Sequence, residues 1–163
     1  MSVTDDLLEH NRAYAEDFYM GGLAGRPARR VAIVACMDAR LDPARALGLE
    51  EGDAHVIRNA GGAITDDAIR SLAISQRLLG TEEIMLLHHT DCGLATFSDD
   101  EFRRRIEDET GIRPPWAAET FTDVEDDVRQ SMARIEASPF IPEKGSMRGF
   151  VYEVETGRVR EVV

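Results

Sequence analysis

The chain has 163 residues, the usual size of a single domain, and 43% of them are hydrophobic, which is enough to bury a core and too many for a disordered acidic tail. Acidic residues number 31 against 19 basic ones, and the net charge of −12 argues against binding to nucleic acid or to an anionic membrane. No stretch approaches the ~20 apolar residues that a membrane-spanning helix needs.

The first predicted element is an amphipathic helix at the N-terminus. Apolar residues recur at helical spacing from Leu7 to Phe18, and a stretch containing glycine and proline follows them from Gly21 to Pro27. This change in composition divides the chain into an N-terminal helical arm, residues 1–25, and an α/β domain, residues 26–163.

Strands and helices alternate through the next part of the chain. Short apolar runs predict three strands, at 31–35, 54–57 and 84–87, and the first is continuous enough for a strand buried on both faces. Between the second and the third, the spacing of apolar residues predicts a helix over 65–79, with acidic residues in its first turn and Gly80 as its stop.

The C-terminal third adds two helices and a strand. Capping boxes at Ser98 and Thr122, each a hydroxyl residue followed by glutamate three positions later, predict where the helices begin. Alternating residues predict a last strand over 148–154, and 155–157 is typical of a hairpin turn. The whole pattern favours a single α/β domain with a mostly parallel central sheet, flanking helices and a C-terminal edge strand.

Both cysteines of the chain lie at the predicted carboxyl edge of this sheet, where α/β proteins bind their ligands. Cys36 follows the first strand, and His89 and Cys92 follow the third. Two thiolates and an imidazole suit Zn²⁺, and three ligands leave a position open, as in catalytic zinc sites. Asp38 is the alternative fourth ligand. Arg40 could instead hold Asp38 away from the metal in an ion pair, although an Asp-x-Arg pair by itself is usually an ordinary loop salt bridge.

A thiol site of this kind requires reducing surroundings. The N-terminus has neither the basic nor the apolar region of a secretory signal, so we expect a cytoplasmic protein with reduced thiols. Two non-enzymatic interpretations of the cysteines stay open. One is a structural zinc site, and the other is a redox sensor in which the two thiols form a reversible disulfide.

Three motifs in chain order resemble the β-class carbonic anhydrase family, and in particular its short archaeal and mycobacterial branch. The resemblance covers the core from Val31 to Gly93. Three ordered motifs are far more specific than any one of them. They read Cys36-x-Asp38-x-Arg40, Arg58-Asn59-Ala60-Gly61-Gly62 and His89-x-x-Cys92-Gly93.

The resemblance implies a zinc enzyme that reversibly hydrates CO₂ to bicarbonate and a proton, through attack of a zinc-bound hydroxide on the carbon. Cys36, His89 and Cys92 would bind one Zn²⁺ per subunit. Asp38 and Arg40 would be the catalytic pair, with Asp38 orienting the hydroxide. In this family Asp38 would become a fourth ligand only in a closed, inactive form.

The resemblance also implies where substrate binds and how the chain assembles. Arg58, Ala60, Gly61 and Gly93 would line the substrate pocket, with the Gly93 N–H as a donor, although glycines after a strand can simply provide positive φ angles. The arm would pack on a partner subunit in a homodimer or a larger homo-oligomer. Some short relatives hydrolyse carbonyl sulfide or carbon disulfide instead, and nothing in the motifs excludes those substrates.

Two further histidines lie near the motifs. His88 precedes His89, and because adjacent side chains of a strand point to opposite faces, we expect it to face the core or a helix. His55 precedes the second motif. It is either a proton shuttle or a partly buried histidine with a hydrogen-bonded ring, and we expect the latter.

Overall fold

The computed structural model describes residues 2–163, in which five α-helices and five strands are found. In chain order they are α1 (Val3–Glu16), β1 (Val31–Cys36), α2 (Pro43–Leu47), β2 (Ala54–Asn59), α3 (Asp66–Arg77), β3 (Glu83–His89), α4 (Asp99–Thr110), α5 (Val124–Ala137), β4 (Met147–Tyr152) and β5 (Val159–Val162). Two 3-10 turns, at Ala60–Gly62 and Gly93–Ala95, directly follow β2 and the loop after β3. Among residues 2–163, no helix combines the length and apolar content that crossing a bilayer requires.

The strands form one sheet in the order β2-β1-β3-β4-β5. β1 lies between β2 and β3 and is parallel to both, and β4 is parallel to β3. β5 runs antiparallel to β4 at the edge, after the turn expected at 155–157. The predicted α/β class with a mostly parallel sheet is confirmed. The predicted last strand, 148–154, corresponds to β4, which lies inside the sheet, and the C-terminal edge is formed by β5 beyond the turn.

β1 is buried on both faces because apolar residues meet it from each side of the sheet. Val34 packs with Leu72 of α3 and Ile135 of α5 in one cluster. The next side chain back along the strand, Ile33, packs with Leu41 in a second cluster. Burial on both faces explains the continuous apolar run in the sequence, and it makes the end of β1 a rigid base for the residues that follow.

Helix starts agree with the sequence where a single strong cap is present. Thr65 caps α3, and Ser98 begins α4 with the predicted capping box. The predicted start at Thr122 is wrong, because the cap of α5 is Asp123, whose carboxylate accepts hydrogen bonds from two amides of the first turn. An ionised carboxylate satisfies these free amides and also complements the helix dipole.

The short helix α2 is missing from the sequence-based prediction. Its signals are local and present: Asp42 caps it, Pro43 begins it, and Gly48 ends it with φ +63°. Five residues give too little apolar periodicity to be recognised.

α1 is the helix of the predicted arm, and none of its residues is buried. Leu7 is 61% exposed and Leu8 51% exposed. The helix is tied to the domain by the Tyr14 hydroxyl, which donates to the Glu51 carboxylate at 2.6 Å. Residue 1 lies outside the described residues, and the division of the chain at residue 25 stays a prediction.

Candidate metal centre and adjoining pocket

Parallel pairing brings the predicted ligands to one place. Ala35 of β1 is in register with Leu87 of β3, so both strands end at the same edge of the sheet. Cys36 ends β1, His89 ends β3, and Cys92 follows three residues later. The three side chains are buried, and their ligand atoms all lie within 4.8 Å of one another. We call residues 36–41 and 89–94 the ligand edge.

The orientation of His89 suits a metal ligand. Its Nδ1 lies 2.8 Å from the Thr90 carbonyl oxygen, and because a carbonyl can only accept, Nδ1 carries the proton. Nε2 therefore holds a free lone pair. It is buried without a hydrogen-bond partner among the described residues. Buried nitrogens normally have partners, and this lone pair, close to two sulfur atoms, is oriented so that it could bind a cation together with them.

The two cysteines are free thiols that interact with each other. A hydrogen bond from Cys92 lowers the pKa of Cys36, against the opposing effect of burial, and the same bond raises the pKa of Cys92. The interaction thus favours the thiolate at Cys36 and the protonated thiol at Cys92. A bound cation would replace that proton and stabilise both groups as thiolates.

Asp38 and Arg40 form the bidentate pair that the sequence suggests. Arg40 donates from Nε to one carboxylate oxygen at 3.0 Å and from Nη2 to the other at 2.8 Å. The Arg40 hydrogen bonds hold the pKa of Asp38 well below its usual range, so the carboxylate is ionised. One of its oxygens lies 3.7 Å from the free Nε2 of His89. A negative charge thus sits beside the ligand cluster.

Arg58 lies behind the site rather than in the wall of a pocket. Its guanidinium donates to the carbonyl oxygens of Cys36 at 2.7 and 2.9 Å, of Asp38 at 2.8 Å and of Leu41 at 2.7 Å. Parallel pairing of β2 with β1 places it there. Its position is that of a brace for the loop that carries Cys36 and Asp38.

A pocket of about 430 Å³ opens beside the ligand atoms. Three of the four predicted pocket residues, all except Arg58, lie in its wall. Leu94, Met37 and Phe97 add apolar side chains that the sequence analysis did not identify, although each comes within five residues of a predicted ligand. The wall consists of Cys36, Met37, Asp38, Ala60, Gly61, Cys92, Gly93, Leu94, Thr96 and Phe97.

Gly61 shapes this pocket. Its φ is +78°, and a Cβ atom there would lie 2.5 Å from the Cδ1 atom of Leu94. Leu94 therefore packs directly on the Gly61 backbone. This contact joins the 3-10 turn after β2 to the ligand edge, which explains why the glycine is needed for space as well as for conformation.

His88 and His55, the two further histidines near the motifs, have the surroundings expected of them. His88 is 1% exposed and points away from the ligands, with Nδ1 2.9 Å from the Asp127 carboxylate of α5. His55 is partly buried, and its Nδ1 lies 2.8 Å from the Ser75 hydroxyl. The prediction of a hydrogen-bonded ring at His55 is confirmed.

Comparison of the chain with known proteins shows the family to which it belongs. A family model described as carbonic anhydrase matches residues 31–159. The chain is also 62% identical over 162 residues to beta-carbonic anhydrase 1 of Mycobacterium tuberculosis, in an alignment that covers 99% of each chain. The chain belongs to the β-class carbonic anhydrase family.

The similarity to β-class carbonic anhydrases includes the whole fold. The crystal structure of carbonic anhydrase from Streptococcus mutans superposes with a TM-score of 0.93 at 48% identity, covering 100% of this chain and 99% of that one. A protein named carbon disulfide hydrolase, from Saccharolobus solfataricus, is 37% identical over 171 residues, covering 90% of this chain and 84% of the other. The fold alone therefore does not distinguish CO₂ from carbon disulfide as the substrate.

Proposed function

We propose that this protein is a zinc-dependent carbonic anhydrase that interconverts CO₂ and bicarbonate, with one Zn²⁺ held by Cys36, His89 and Cys92. The observation that carries the proposal is the buried, unpartnered Nε2 of His89 beside two thiol sulfurs. Soft sulfur and imidazole donors are those that Zn²⁺ prefers. Three protein ligands leave a fourth position for chemistry.

Zn²⁺ in an open site lowers the pKa of water and so supplies a nucleophile near neutral pH. Two thiolates and a neutral imidazole cancel the charge of the ion, so this effect is weaker than with three histidines, and a nearby acceptor becomes useful. Asp38 is placed to be that acceptor. Arg40 keeps Asp38 ionised and holds both of its oxygens, so the carboxylate can accept a hydrogen bond and orient the attacking oxygen.

The pocket suits an uncharged, linear substrate. Met37, Leu94 and Phe97 give it an apolar wall beside the proposed ligands, and none of the side chains in the wall is cationic. The backbone of Ala60, Gly61 and Gly93 completes the wall on the side nearest the cysteines. CO₂ fits this environment, and the Gly93 N–H is our candidate donor to a substrate oxygen.

The proposal extends to the assembly and location of the protein. α1 exposes Leu7, Leu8 and Tyr14 and buries none of its residues, as expected of an arm that is covered by a second copy of the chain. We therefore propose a homodimer or a larger homo-oligomer. Two thiols that must stay reduced to bind Zn²⁺ favour the cytoplasm.

The direct test is a CO₂-hydration rate measured by stopped flow beside the zinc content of the same sample. We expect one Zn²⁺ per chain, loss of hydration after chelation, and recovery when Zn²⁺ is returned. A reduced protein that binds no Zn²⁺, or a zinc-loaded protein that does not hydrate CO₂, would refute the proposal.

The second candidate keeps the metal site and changes the substrate to carbon disulfide or carbonyl sulfide. It is favoured by the 37% identical relative named carbon disulfide hydrolase, although the 62% identical relative is named a carbonic anhydrase. The same zinc-loaded preparation should be assayed with CO₂, carbonyl sulfide and carbon disulfide. A larger kcat/KM for a sulfur compound than for CO₂ would make the second candidate correct.

The non-enzymatic alternatives predict different results. A structural zinc site requires the protein to unfold when Zn²⁺ is removed, and a redox sensor requires a reversible disulfide between Cys36 and Cys92. The apolar cluster around Val34 contains none of the proposed ligands, so we expect the chelated protein to stay folded and to keep most of its near-UV circular dichroism.

A further inference from the structure

Arg40 is held on two sides, and the catalytic pair accounts for one of them. Its Nη1 donates to the carboxylate of Asp91 at 2.6 Å, and its Nη2 donates to the Asp91 carbonyl oxygen at 2.9 Å. Asp91 lies between the ligands His89 and Cys92 in the chain. Through Arg40, the loop after β3 is therefore tied to the Asp38 carboxylate on the loop after β1.

The backbone at Asp91 is adapted to this contact. Its φ is +55°, in the left-handed region that Asp and Asn tolerate better than most residues. The side chain is 74% exposed, so the ion pair adds little to stability on electrostatic grounds. Its consequence is geometric, because it limits the rotamers of an arginine whose side chain is itself about half exposed.

We infer that Asp91 is a positioning residue that keeps Asp38 from becoming a metal ligand. Arg40 can hold both oxygens of Asp38 only while its guanidinium stays in one plane and place, and Asp91 fixes that place. The competing arrangement is close, because an oxygen of Asp38 lies 3.7 Å from the Nε2 of His89. This inference rests on the proposed zinc site, and it assigns to Asp91 the balance between an open and an occupied fourth position.

Two effects of removing the carboxylate have opposite signs. Asp91 competes with Asp38 for the charge of Arg40, so losing its charge alone strengthens the hold on Asp38. Losing its side-chain hydrogen bond leaves Arg40 with only the Asp91 carbonyl on that side and weakens that hold. Asp91→Asn removes the charge and keeps an acceptor and the left-handed backbone, whereas Asp91→Gly keeps the backbone and removes the acceptor.

The experiment uses the full-length protein loaded with Co²⁺ in place of zinc, since Co²⁺ reports its ligands by visible absorption. Azide titration then measures whether the fourth position is free. We expect Asp91→Gly to show an altered spectrum, azide affinity weaker by about tenfold or more, and a similar loss in kcat/KM for CO₂. Asp91→Asn should resemble the unmodified protein in all three measurements.

A double variant identifies the group that occupies the position. In Asp38→Ala/Asp91→Gly no carboxylate is left at position 38 to compete, so azide affinity should return to the value of Asp38→Ala alone. The matched control is Glu82→Gln, which removes an exposed ion pair with Arg30. Arg30 itself has a φ of +55°, as Asp91 does, and loss of its ion pair should leave the spectrum and azide affinity unchanged.

The inference is overturned if Asp91→Gly binds azide and absorbs as the unmodified protein does, or if Asp91→Asn is as impaired as Asp91→Gly. If neither Asp91→Gly nor Asp91→Ala binds a full equivalent of Co²⁺, Asp91 is needed for metal binding itself, and the inference is likewise wrong. Failure of the proposed function is seen separately, as a lack of CO₂ hydration by the unmodified zinc protein.

Discussion

The ligand edge and the arm helix α1 differ in how many hydrogen bonds connect them to the rest of the chain. At the ligand edge, Arg58 of β2 binds three carbonyl oxygens of the loop after β1, and Arg40 reaches the loop after β3. α1 buries none of its residues and is joined to the domain through the Tyr14 hydroxyl. One region is organised by its own subunit, and the other presents an apolar surface that a single chain does not cover.

This contrast predicts which substitutions should affect the site and which should affect assembly. We expect a change at the ligand edge to alter the proposed metal site and the activity of its own chain, because the contacts there are internal. A change on the exposed face of α1 should alter assembly and leave the domain itself nearly unchanged. The following predictions test the contrast, in order of decreasing effect.

Cys92→Ser should cause the largest loss. An un-ionised hydroxyl is a poor ligand for Zn²⁺, so zinc content should fall and CO₂ hydration should drop to the background rate. The fold should remain, because the apolar cluster around Val34 on the other face of the sheet contains none of the proposed ligands. Zinc analysis, stopped-flow rates and near-UV circular dichroism check each part, and a zinc-free variant with normal turnover would contradict the assignment.

Asp38→Ala should lower kcat by about 10²–10⁴-fold while zinc is retained, as is usual when a positioned proton acceptor is lost. Arg40→Ala should have a similar effect, because Arg40 holds the carboxylate in place. Zinc content and rates should be measured across a range of pH. Near-normal turnover of Asp38→Ala at every pH would show that the catalytic pair is wrongly assigned.

Gly61→Ala should destabilise the protein by about 1–3 kcal/mol, since the new Cβ meets Leu94 and the backbone has positive φ. Chemical denaturation measures the free energy of unfolding. In the double variant Gly61→Ala/Leu94→Ala the clash is relieved and the backbone strain is kept, so part of the loss should be recovered. A fully additive result would mean that the two residues do not act on each other.

Leu7→Asp/Leu8→Asp should have the smallest effect on the domain and a clear effect on assembly. Both side chains are more than half exposed, so the zinc content of each chain should stay the same. Light scattering after size-exclusion chromatography should show a smaller oligomer than the unmodified protein. Acidic residues already flank the two leucines at Asp6 and Glu9, so Glu9→Gln is a suitable control that should leave the oligomer intact.

Much of the fold could be predicted because its signals are local. The apolar run at Val31 and the alternation after Arg148 each reflect the burial of neighbouring residues in the sequence. α2 was missed because five residues carry little periodicity, and the start of α5 was misplaced because Thr122 and Asp123 are both good caps. When two adjacent residues are equally good caps, the sequence does not show which of them begins the helix. The packing of the helix decides between them.

The pocket wall was harder to predict than the ligands. Ligands are recognised by chemistry, and only a few residue types bind Zn²⁺. An apolar wall residue such as Leu94 looks like any core leucine in the sequence, and its contact with Gly61 joins turns from two different strands. Arg58 is the reverse case. The second motif assigns it to the substrate pocket, whereas its guanidinium donates hydrogen bonds to backbone carbonyl oxygens behind the site.

The sequence by itself determined the donor set, the alternation of strands and helices, and the presence of an Asp-x-Arg pair beside the first cysteine. The tertiary structure decided how these parts meet. The register of β1 with β3 brings Cys36 to His89 and Cys92, and it brings Arg40 to Asp91, more than 50 positions away in the chain. The physical reason is that composition and spacing record each residue's own preferences, whereas a contact across strands depends on the register and packing of the entire sheet.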